Sequence, residues 1–212
     1  ARREAEPAPE PYSERRGSRC PVCFEEWDVN SMSDIFRSCC GRMICGPCVD
    51  KIGYKPCPLC RTPYQTMEEA LAGVRRHAEN DVPEAVFNLG LAYETGIYDL
   101  PINPKKAAKI YKRAVGLGNL EAMVNLSRLY AIGEGVKMDS TKAARLDRMA
   151  AGRGFAKAQC ALANEYFAAG DFVEGARYCR LAAEQGLTEA EYNMGCFYRT
   201  GQGVQRDVGE AR

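Results

Sequence analysis

From residue 84 onward the chain copies itself, which narrows it to a few folds. Ala85, Ala122, Ala158 and Ala190 are equivalent, and so are Leu89, Leu126, Leu162 and Met194. Beside the second set stand the small residues Gly90, Ser127, Ala163 and Gly195, followed by Tyr93, Tyr130, Tyr166 and Tyr198. Ala114, Ala150 and Ala182 recur later in each unit, then Gly118, Gly154 and Gly186. Successive alanines lie 37, 36 and 32 residues apart, the period of stacked helix pairs. Ala, Leu and Tyr fall four apart and form one apolar stripe on a helix. The small residue beside the Leu admits a closely packed second helix.

The unequal periods have a single source. Asn103, Asp139, Asp171 and Asp207 occupy equivalent places and suit the N-cap of each second helix, with Pro104 at the first helical position behind Asn103. From cap to the next repeat alanine the distance is always 19 residues, whereas from alanine to cap it is 18, 17, 13 and 17. All length variation therefore lies in the loop inside each helix pair, where insertions leave the packed faces unchanged. The glycines near each unit's end stop the second helix.

The second feature is cysteine. Eight of the 11 cysteines fall at Cys20, Cys23, Cys39, Cys40, Cys45, Cys48, Cys57 and Cys60. Three C-x-x-C pairs and one adjacent pair supply thiols for two tetrahedral zinc ions. So short a stretch cannot bury enough apolar surface to fold alone, so metal must supply much of its stability. A disulfide framework is the competing account. The chain shows no secretory signal, and Cys160, Cys179 and Cys196 sit in predicted helices as small buried hydrophobes. A reducing, intracellular setting, cytosol or nucleus, is expected.

Residues 1–17 mix charge and proline and are expected to form a disordered leader, with a short strand on the zinc module as the alternative. A helix is predicted over about 66–79, with Leu71 and Val74 on its apolar side. Lys and Arg total 29 against 28 Asp and Glu, so nothing in the charge favours nucleic acid. No apolar run approaches a membrane span.

With these spacings, residues 20–60 resemble a RING finger. In that family the first and third ligand pairs hold one metal and the second and fourth hold the other. The resemblance implies one zinc on Cys20, Cys23, Cys45 and Cys48 and a second on Cys39, Cys40, Cys57 and Cys60. Arg42 stands where the common pattern has a His, which implies the all-cysteine variant; His77, the one His, belongs to the connecting helix. Family ligases grip a ubiquitin-conjugating enzyme through apolar residues around the ligand pairs. The matching positions are Val22, Ile52 and Pro58, with Arg61 placed to bridge that enzyme and its ubiquitin. Otherwise Val22 and Ile52 are minor core residues and Arg61 a solvated charge. No nucleophile pairs with a base, so no catalytic residue is assigned, and such a ligase would act by positioning.

The stretch 84–212 resembles Sel-one-like repeats, a variant of the tetratricopeptide fold, in A-x-x-x-L-[small]-x-x-Y-x-x-G and in the G-x-G-V runs 133–136 and 201–204. The resemblance implies a protein-binding scaffold, with Asn88, Asn125 and Asn193 either clamping a partner's backbone or serving the repeat's own hydrogen bonds. The expected architecture is a small zinc-stabilised cross-brace module followed by an all-α helical-pair solenoid. Its parts are a leader (1–17), the RING-like module (18–64), a connecting helix (65–82) and repeats (83–212), the last truncated. The expected function is a ubiquitin-protein ligase that recruits a conjugating enzyme and holds a protein substrate on its repeats. The alternative is a non-catalytic zinc-binding interaction scaffold; neither nucleic acid nor membrane is an expected partner.

Overall fold

The computed structural model describes residues 20–22, 35–44, 47–48, 51, 56–62, 65–207 and 209. The expected leader, Cys23, Cys45 and Ile52 lie outside the described residues. The chain divides into two compact units, Ala1–Ala122 with Glu134–Val136, and Met123–Gly133 with Lys137–Arg212.

Among the described residues, the first strands of the first unit form a hairpin. Strands β1 (Ile35–Arg37) and β2 (Arg42–Ile44) pair antiparallel, Phe36 opposite Met43 and Arg37 opposite Arg42. Their turn carries Cys39 and Cys40, and the Cys40 and Gly41 N–H groups both donate to Arg37 C=O (3.2 and 2.8 Å). Helix α1 (Met67–Glu79) follows, opened by a capping box in which Thr66 and Glu69 satisfy each other's N–H groups. Its inner face buries Leu71, Gly73, Val74 and Ala78.

Helix pairs follow from residue 83 onward. First helices are α2 (Pro83–Thr95), α4 (Leu120–Ile132), α6 (Ala156–Ala168) and α8 (Thr188–Thr200); second helices are α3 (Pro104–Gly116), α5 (Ser140–Gly152) and α7 (Phe172–Ala183). Ala85, Ala122, Ala158 and Ala190 are each 0% exposed, as are Ala114, Ala150 and Ala182. Only a methyl fits there, so identity recurs and not just polarity.

The constant cap-to-alanine interval has a hydrogen-bonded counterpart across each loop. The N–H groups of Asn103, Asp139, Asp171 and Asp207 donate to the C=O of Tyr93, Tyr130, Tyr166 and Tyr198 at 2.7, 2.9, 2.9 and 2.9 Å. Loops of different length thus close on the same bond. Asn103, Asp139 and Asp171 side chains each accept from the N–H three residues on. Asn103→Ala is expected to cost about 1 kcal/mol, read as a lower chemical-denaturation midpoint; an unchanged midpoint would remove Asn103 from the capping role.

The small position and its partner on the second helix vary together. Gly90 lies flat against the fully buried Tyr111 ring, where a Cβ would clash. In the next repeat Ser127 replaces the Gly, and its Oγ donates to Asp147 Oδ2 (2.5 Å), the residue at the Tyr111 place. The third repeat has Ala163 and Cys179 there, both in one buried cluster. Burial therefore raises the Asp147 carboxyl, Ser127 partly offsetting this and Glu165 adding to it. A carboxyl raised in the folded state weakens the fold above its folded value and costs nothing below its unfolded one. Asp147→Asn should melt above the native chain at pH 7–8, with the gap closing in acid. A pH-independent gap would exclude this cause.

Candidate metal centre

Two tight turns face each other in the first unit. One is the Cys39–Cys40 turn of the hairpin. The other spans Cys57 to Thr62, where Arg61 N–H donates to Cys57 C=O and Cys57 N–H to Thr62 C=O, both at 2.8 Å. Arg61 holds a left-handed backbone (φ 58°) to close it. The turns bring Cys39, Cys40, Cys57 and Cys60 together with their sulfurs all within 4.8 Å of one another. Cys40 Sγ and Cys57 Sγ are 3.9 Å apart, against about 3.8 Å for a tetrahedron with metal–sulfur bonds of about 2.3 Å. Four thiols at this separation can hold a metal ion.

The electrostatics agree with that donor set. Burial raises the Cys39 thiol, and hydrogen bonds to Cys60 and Cys57 raise it further. Burial also pushes Cys40 up to about 11, against the Arg42 N–H. For Cys60 burial is outweighed by the Thr62 hydroxyl (3.0 Å) and N–H, and its thiol falls to about 7. Protons stay on the more enclosed thiols because burial disfavours the thiolate, with repulsion from neighbouring thiolates adding to it, and a bound cation offsets both.

Of the other proposed ligand set, Cys20 and Cys48 are both buried in one cluster with Ile44, against which Val22 and Leu59 pack. Val22 is half-buried against that cluster. Pro58 and Arg61 are exposed. His77 is apart from the four sulfurs: its ring stands edge-on to Phe36 (6.2 Å between centroids, 86°) and lies against Gly41.

On the repeats, Asn88 Nδ2 donates to Glu84 C=O of its own helix (2.7 Å); Asn125 and Asn193 are half-buried at the same helix position. Cys160 and Cys179 are buried, and burial pushes their thiols up to about 11 and about 12, so both are unreactive packing groups. Cys196 is only half-buried, unlike the expected core position. Sequence reasoning missed what surrounds the cysteine cluster. Arg76 Nη2 donates to Cys39 C=O (3.2 Å), Ser38 Oγ to Gln65 Oε1 (2.7 Å), and Gly73 touches the Ser38 backbone. No short motif carries contacts between residues this far apart in the chain.

Among the described residues no helix is long and apolar enough to cross a membrane. Comparison with known proteins bears on the repeats. A chitin synthase regulator SKT5 from Malassezia restricta is 32% identical over 155 residues, covering 68% of this chain and 11% of that protein. Chitin synthase regulatory factor 3 of Schizosaccharomyces pombe is 31% identical over 154 residues, covering 67% of this chain and 16% of its own length. The chain thus spans less than a fifth of these curated relatives. A Sel1 repeat protein from Oxalobacter formigenes superposes with TM-score 0.62 at 29% identity, covering 68% of this chain and 60% of that one. The c5321 antigen of uropathogenic Escherichia coli, described as displaying an SLR fold, gives 0.61 at 31%, covering 69% and 32%. Sel1 repeats match at residues 83–119, 120–155, 156–187 and 188–212, with the same 37-, 36- and 32-residue steps as the buried alanines, and the chain belongs to the Sel1 repeat family.

Proposed function

We propose that this chain is a non-catalytic protein-interaction scaffold, in which Sel1 repeats bind a protein partner and a zinc-stabilised module sits at their N-terminal side. The observation that carries the reading is the four-repeat match over 83–212. Arrays of this class act by presenting packed helix surfaces to other proteins. Relatives sharing the repeats are named as regulators of chitin synthase, a role compatible with control of another protein through contact. In the module, Cys39, Cys40, Cys57 and Cys60 would hold zinc, and Cys20, Cys23, Cys45 and Cys48 a second ion. Bound zinc would supply folding energy to a segment with little apolar core.

The second reading is a RING-like ubiquitin-protein ligase. Arg61 favours it, being exposed directly after the last cysteine of the cluster. Pro58, Arg61 and Ile52 would be its contacts with a conjugating enzyme.

One experiment separates the two. Zinc-loaded chain is assayed for ubiquitin-chain formation with a panel of conjugating enzymes, and in parallel cross-linked in cell extract and mapped by mass spectrometry. The scaffold reading expects cross-links to partners within 83–207 and no chain formation. Chain formation that is abolished in Arg61→Ala at unchanged zinc content would replace it with the ligase. Partner cross-links confined to 20–62 would overturn the repeats as the binding part.

A further inference from the structure

Helix α1 stands in the register of a second repeat helix. Thr66, its N-cap, lies 19 residues before Ala85, the same interval that separates Asn103, Asp139 and Asp171 from their next alanines. Helix α1 has 13 residues, as do α3 and α5. Its end repeats theirs bond for bond. Val82 N–H donates to His77 C=O and Asp81 N–H to Ala78 C=O (both 3.1 Å), as Asn119 does to Ala114 and Gly118 to Val115 (both 3.0 Å). Asp81 takes the left-handed conformation (φ 55°) that Gly118, Gly154 and Gly186 take at the equivalent place. Val74, fully buried, sits where α3 has Tyr111 and α7 has Cys179. Arg113 of α3 completes the pairing, donating to Ala78 C=O (2.6 Å) and Asp81 (2.9 Å).

A second helix needs something on its other side, and here that is the cysteine turn. Gly73 stands where the later second helices carry Ile110, Leu146 and Tyr178. With no side chain of its own, it lets the Ser38 carbonyl approach to a distance no Cβ allows. Arg76 bonds Cys39 C=O, and the His77 ring covers Gly41. The backbone bearing two of the four sulfurs is thus held by one face of α1.

We infer that the Cys39–Cys40 turn caps the repeat array by packing on α1 where a first helix would stand, and that Gly73 and Arg76 are positioning residues for the metal centre. The inference rests on the zinc reading above. Linkage makes the effect reciprocal: what α1 contributes to ordering the turn appears as metal affinity, and metal binding appears as protection of α1. Outer-shell contacts of this kind change metal affinity by about 10–100-fold when removed.

The test uses the whole chain and its Arg76→Ala, Arg76→Lys and Gly73→Val variants. Zinc affinity is measured by competition with a chromophoric chelator, site geometry from the cobalt(II) thiolate spectrum, and exchange at residues 67–95 with and without zinc. Arg76→Ala and Gly73→Val should weaken one site about 10-fold or more and alter its cobalt bands, Arg76→Lys recovering part. Zinc should slow exchange in α1 of the native chain and much less in Arg76→Ala. Native affinity and spectrum in Arg76→Ala, or exchange in α1 indifferent to zinc, would overturn the coupling alone. Native chain that takes up no zinc would overturn the zinc reading and the coupling with it. If Gly73→Val loses its helical signal, Arg76→Ala decides, since that side chain is exposed and its loss leaves the helix core intact.

Discussion

Replacing Cys57 with Ser will remove one metal equivalent and unfold the facing turns while most helical signal remains. Cys57 is only 5% exposed and its sulfur is 3.9 Å from that of Cys40. Its backbone also closes the second turn through both N–H and C=O. A serine hydroxyl keeps the volume but is a poor ligand at neutral pH, so the site drops to three sulfurs. Metal binding in small modules is worth about 10–16 kcal/mol, more than the turns' own hydrogen bonds, at about 1 kcal/mol each, can replace. Metal content by mass spectrometry, the cobalt charge-transfer band and far-ultraviolet dichroism read the three consequences. Cys179→Ser is the matched control. It replaces a buried thiol that donates to Ala190 C=O (3.3 Å) with a smaller, more polar hydroxyl beside Ala182 and Met194 and should lower the repeat melting point with metal content unchanged. A Cys57→Ser chain that keeps the native metal stoichiometry would remove Cys57 from the ligand set.

The two predictions touch parts of the molecule that the sequence disclosed very unequally. Repeat positions were legible because each is set by a local demand that recurs: Ala114 because only a methyl fits, Asp171 because a helix start needs an acceptor, Gly186 because the helix end turns left-handed. Helix α1 obeys the same geometry in different residues, with Thr66 for the acidic or amide cap, His77 for the alanine and Asp81 for the glycine. Its kinship was therefore invisible to a search for identities. The cysteine spacing marked candidate ligands, but which turn faces which depends on contacts such as Arg76 to Cys39, 37 residues apart. Asn88 has a comparable ambiguity, since the same amide serves a partner or its own helix. The bond to Glu84 uses one of its two amide N–H groups within its own helix.

Gly135→Ala should be among the most damaging single-methyl changes in the repeats, and its reason is also non-local. In the sequence G-x-G-V is only a mark of the resemblance to Sel-one-like repeats. In the structure Gly135 has φ +70°, and a Cβ there would fall inside van der Waals contact of the Pro104 carbonyl carbon and oxygen, at the start of the preceding repeat's second helix. Gly203 meets Phe172 in the same way. Backbone at a helix start cannot retreat as a flexible side chain would. A left-handed side-chain-bearing residue costs about 1–2 kcal/mol and overpacking about 1–3 kcal/mol more. A loss near 3 kcal/mol lowers the melting point of a chain this long by about 6–12 °C. Gly152, the last residue of α5, provides the contrast: nothing lies within 4 Å of its would-be Cβ, so Gly152→Ala should stabilise by about 0.5–1 kcal/mol. Thermal melts of both variants would resolve the opposite signs. If Gly135→Ala melts with the native chain, the loop does not pack on Pro104 in solution.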